Sequence, residues 1–66
     1  SCILQKCSSE STQCVLDFIG CAPAGICVVG CTDSACVGKC GDKLTGAAAT
    51  KFNALRTCVD QNCLKP

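Results

Sequence analysis

The chain has 66 residues, ten of them cysteine, with six basic and five acidic side chains, two phenylalanines and no histidine, tyrosine or tryptophan. A domain of that length buries only about 60% of the surface its unfolded chain exposes, so a core alone would be marginal. The basic residues are scattered from Lys6 to Lys65, which excludes a nucleic-acid binder with a clustered basic face and stacking aromatics, and no apolar run approaches the roughly 18 residues that span a membrane.

In chain order, Cys2-Ile-Leu-Gln-Lys-Cys7 reads as a short apolar helical turn. Ser8-Ser9-Glu10-Ser11-Thr12 comes next, with hydroxyls suited to the free amides of a helix start and Glu10 suited to the positive end of its dipole, so a second helix is expected from near Ser9. It carries Cys14, Val15, Phe18 and Ile19 as one apolar stripe, and Gly20, Pro23 and Gly25 are expected to break it. Folding the first turn back on this helix brings Cys7 near Cys14 and Cys2 near Cys21, although these separations do not fall neatly on one helical face.

The segment Cys27-Val-Val-Gly-Cys31-Thr-Asp-Ser-Ala-Cys36-Val-Gly-Lys-Cys40 organises the rest. Its two C-x3-C units each place cysteines one helical turn apart on one face. A corner at Thr32-Asp33-Ser34 would bring Cys31 against Cys36 and Cys27 against Cys40, a nested clamp on a helical hairpin. Gly41 is placed to end that hairpin, and Asp42 to cap the next helix. Apolar residues at Leu44, Ala48, Phe52, Leu55 and Val59 keep a helical period and predict the longest helix, over about 43 to 59. Gly46 should weaken it by about 1 kcal/mol relative to alanine. Cys58 and Cys63 are too far apart in a straight helix to bond, so if they pair the helix must end between them, at Asp60-Gln61-Asn62; Pro66 closes the chain. The expected fold is all-α: one domain, residues 1 to 66, of small disulfide-stapled helical hairpins plus a longer C-terminal helix.

Ten cysteines could instead hold metal, but there is no C-x-C, no C-x2-C and no histidine, whereas zinc and iron-sulfur sites use close thiolate pairs. A disulfide framework in an oxidising compartment is expected, with no metal and no cofactor. The chain opens at Ser1-Cys2 without a charged and apolar leader, so any targeting peptide is expected to have been removed already. Chemistry has little to work with. The carboxylates Glu10, Asp17, Asp33, Asp42 and Asp60 are dispersed, with Asp33 and Asp42 readable as helix caps, and Ser8, Ser9 and Ser34 lack a base. The expectation is a protein that is not an enzyme.

About 48% of the residues are hydrophobic, more than so small an interior can hold. Ile3, Leu4, Val15, Leu16, Phe18, Ile19, Ile26, Val28, Val29, Val37 and Leu55 cannot all be buried. Some should form an exposed patch of the kind that marks an interface; the candidate partner-binding residues are Phe18, Ile19, Ile26, Val28 and Val29.

The cysteine series as a whole resembles the cysteine-rich N-terminal domain of the violaxanthin de-epoxidases of the thylakoid lumen. Cys2, Cys7 and Cys14 match that family's opening C-x4-C-x6-C, Cys21, Cys27 and Cys31 its C-x5-C-x3-C, and Cys36-Val-Gly-Lys-Cys40-Gly41-Asp42 its C-x3-C-G-D. Phe52-Asn53 and Cys63-Leu-Lys-Pro66 are similar to its F-N pair and its C-x-x-P close. The resemblance implies nested local bridges, Cys2 with Cys21, Cys7 with Cys14, Cys27 with Cys40, Cys31 with Cys36 and Cys58 with Cys63. The gap between Cys31 and Cys36 is shorter than the family's, that between Cys40 and Cys58 longer, and the last pair closer. In those enzymes the carotenoid and ascorbate chemistry belongs to a lipocalin barrel that this chain has no room for, so no catalytic residue carries over. The resemblance and the apolar excess together lead to the expectation of a non-catalytic thylakoid-lumen subunit that docks on a photosystem or light-harvesting complex. A secreted signalling peptide or toxin, and the regulatory cysteine-rich fragment of a de-epoxidase-like enzyme, are the alternatives.

Overall fold

The computed structural model describes residues 1 to 64; Lys65 and Pro66, and with them the expected close of the chain, lie outside the described residues. The described residues form five helices and no strand: α1 (Cys2–Lys6), α2 (Ser8–Leu16), α3 (Ala22–Val29), α4 (Ser34–Cys40) and α5 (Gly46–Asn62). The fold is all-α and disulfide-stapled. Its longest helix, α5, is the spine: α1, α2, α3 and α4 all pack against it.

Local chemistry sets most boundaries. Ser1 caps α1, its Oγ accepting from the Leu4 amide at 3.4 Å. Glu10 lies in the first turn of α2, where its charge favours the dipole. Asp33 caps α4, Oδ1 accepting from the Cys36 amide at 2.8 Å, and Gly41 ends it.

Other expectations need correction. α2 stops at Leu16, so Phe18 and Ile19 are not on its stripe. Pro23 and Gly25 do not break a helix but lie within α3, Pro23 in the first turn, where its missing N–H costs no helical bond. A Cβ at Gly25 would stand 3.0 Å from Cys14 Sγ; glycine there lets α3 close on α2. Asp42 does not cap α5, which starts after Thr45 and runs through Asp60-Gln61-Asn62 rather than turning there. Gly46 has φ +61°, so an alanine at that point would be strained rather than stabilising.

The core is where the expected period of α5 meets sulfur. Phe52, Leu55 and Val59 are buried against Ala24, Val28, Val37 and the half-cystines Cys7, Cys14 and Cys21, with Leu44 partly buried beside them. Gly41 lets the α4 end lie on the Phe52 ring, since a Cβ there would be 2.3 Å from Phe52 Cε2.

The bridges are Cys2–Cys63, Cys7–Cys58, Cys14–Cys21, Cys27–Cys40 and Cys31–Cys36. The last two are the nested clamp that the C-x3-C units predict. The other three differ from the expected Cys2–Cys21, Cys7–Cys14 and Cys58–Cys63. α5 continues unbroken past Cys58 to Asn62, which keeps Cys58 and Cys63 apart as a straight helix must. α1 lies along the C-terminal part of α5 instead, so the chain's first two cysteines bond to its last two as rungs of a ladder. Cys14 is thereby free to bond Cys21 across the turn after α2.

Candidate functional site

The turn between α2 and α3 is assembled on Asp17. Its carbonyl accepts from the amides of Cys21 and Ala22, both at 3.0 Å, and its Oδ1 accepts from the Gly20 amide at 3.2 Å. Lys51 Nζ of α5 lies 3.9 Å from Oδ2, a part-exposed pair that contributes little alone. The Cys14–Cys21 bridge closes the turn beneath, with both cysteines fully buried. With both ends of the turn tied inward, the residues between point out: Phe18 is 81% exposed and Ile19 91%.

α3 continues this surface. Ala22, Ala24, Gly25 and Val28 face the interior, while Pro23, Ile26, Cys27 and Val29 are exposed, Ile26 at 70% and Val29 at 69%. Val28, expected among the partner-binding residues, is only 1% exposed and belongs to the core. It sits one turn beyond Ala24 on the buried face, and the outward stripe runs through its neighbours. Leu4, Val15 and Leu16, outside the candidate set, are also exposed; the end of α2 at Leu16 turns that residue outward.

From Phe18 to Cys31 no side chain carries an oxygen or nitrogen atom. A helix that is apolar all round normally has both faces covered; here the outer one is open. Three of the acidic side chains, by contrast, have structural partners. Asp17 holds the turn and Asp33 caps α4. Asp60 Oδ2 accepts from Ser34 Oγ at 3.3 Å, fastening the start of α4 to α5, and lies 3.7 Å from Nε of Arg56, one turn back on α5. Each of these three carboxylates serves a structural contact: a turn, a helix cap or a link between two helices.

No helix of the described residues is long and apolar enough to cross a membrane. No protein-family model, curated protein or solved structure matches the chain.

Proposed function

We propose that this chain is a non-catalytic binding module of an oxidising compartment, which docks on a larger protein through the turn after α2 and the outer face of α3. The single observation that carries the reading is that open face: Phe18, Ile19, Ile26 and Val29 are mostly in water, in a stretch without a polar side chain. Covering it would remove enough apolar surface to matter, at about 25 cal/mol per Å². A rigid, bridged backbone presents it with little ordering cost on binding. The cysteine order and the Lys39-Cys40-Gly41-Asp42 segment support the thylakoid lumen as the compartment, and hence a photosystem or light-harvesting complex as the partner.

The test is mild-detergent fractionation of the source membranes, with intact-mass detection of the wild-type chain and of a Phe18→Asp, Ile26→Asp double variant. Co-migration of the wild type with a pigment-protein complex, lost in a variant whose circular dichroism and melting are unchanged, is the expected result. Equal co-migration of both overturns the surface. A free chain in the secreted fraction overturns the lumenal reading in favour of a signal or toxin, and a much heavier species carrying these cysteines favours an enzyme fragment.

A further inference from the structure

The two bridges of the α3–α4 hairpin lie side by side. Cys31 Sγ is 3.7 Å from Cys40 Sγ although the two belong to different bridges, and the sulfurs of Cys27, Cys31 and Cys40 lie within 4.8 Å of one another. A thiolate that attacks a disulfide sulfur displaces its partner as a new thiolate. Cys40, once released, therefore already has its next target in contact.

Access singles out where such a chain of exchanges begins. Cys27 is exposed, whereas Cys31, Cys36 and Cys40 are half-buried and Cys7, Cys14 and Cys21 are fully buried. We propose that this sulfur cluster is a thiol–disulfide exchange site that takes an external dithiol as stoichiometric reductant and passes the opening from Cys27 through Cys40 and Cys31 to Cys36.

The steps balance. A thiolate of the dithiol attacks Cys27 Sγ, forming a mixed disulfide and breaking Cys27–Cys40. The Cys40 thiolate attacks Cys31 Sγ, forming Cys31–Cys40 and releasing the Cys36 thiolate, which takes a proton from water. The second thiol of the reagent then attacks its own sulfur in the mixed disulfide, leaving as a cyclic disulfide and returning Cys27 as a thiol. The reagent is oxidised by two electrons and the protein reduced by two, with free thiols at Cys27 and Cys36. The product bridge ties Cys31, two residues beyond α3, to Cys40 at the end of α4, so the hairpin stays clamped.

The test is reduction of the native protein with limiting dithiothreitol, trapping with N-ethylmaleimide, and peptide mapping. Cleavage before Asp33 separates Cys31 from Cys36, and cleavage after Lys39 separates Cys36 from Cys40. The first species carrying two labels is expected to hold them on Cys27 and Cys36, with Cys31 bonded to Cys40. Labels on Cys27 and Cys40 with Cys31–Cys36 retained overturn the proposal, as do first labels at any other bridge or simultaneous loss of both bridges. A Cys31→Ala, Cys36→Ala variant, which keeps Cys27–Cys40 but removes the second step, should carry its labels on Cys27 and Cys40. If it fails to fold, the wild-type map decides alone.

Discussion

Replacing Cys7 and Cys58 by alanine removes one rung of the ladder between α1 and α5. Judged by its sequence separation of 51, loss of this bridge would release about 4 kcal/mol of unfolded-chain entropy. With Cys2–Cys63 still closed, however, the relevant loop runs only from Cys2 to Cys7 and from Cys58 to Cys63, and the same expression gives about 2.5–3 kcal/mol. Cys7 is fully buried, and the smaller side chain adds a cavity cost of about 1 kcal/mol. The loss of about 3–4 kcal/mol is measured by urea unfolding, where a slope of about 1–1.5 kcal/mol/M makes it a midpoint shift of roughly 2–4 M. Thiol titration of the same variant is the sharper readout. The wild-type chain has no free cysteine, and removing both partners of one bridge leaves none. If Cys7 instead bonded Cys14, and Cys58 bonded Cys63, the variant would present two free thiols, and the ladder would be refuted.

Gly46→Ala should lower stability by about 1–2 kcal/mol in denaturant titration because of the positive φ; a gain of about 1 kcal/mol would mean ordinary helical backbone there. Gly41→Ala drives a methyl into the Phe52 ring and should cost about 1–3 kcal/mol, visible as a lower melting temperature; no change would contradict that contact. Asp33→Ala removes the cap of α4 and should cost about 1 kcal/mol, read by amide exchange at Cys36. Val28→Asp should unfold the chain, whereas Val29→Asp should stay within about 0.5 kcal/mol of wild type by thermal melting; equal effects would refute the facing of α3.

The sequence is legible without coordinates where short range decides. The period of Phe52, Leu55 and Val59 is a property of one helix, and the C-x3-C pair needs only one corner between two turns. The first half misleads because longer range decides there. Cys2 and Cys7 have the same spacing as Cys58 and Cys63, and equal spacing at the two ends is what two helices laid side by side need for paired rungs. That signal is in the sequence, as is the geometric objection to a Cys58–Cys63 bond, but local closure competes with both. The position of Phe18 and Ile19 depends on Asp17 drawing the Cys21 and Ala22 amides to its carbonyl, a competition between turn and helix that apolar spacing does not report. Val28 could not be assigned to the inner face because its stretch has no polar side chains, and a helix without a polar stripe does not declare its inner side.

The Cys2–Cys63 bond holds its two α-carbons 5.7 Å apart. Tension applied at those two points is carried by a covalent link rather than by helix packing, so pulling there stretches the bond and leaves α2, α3 and α4 unloaded. Mechanically the domain is a closed ring hung from a single point, and the α3 face can be held under load without deformation.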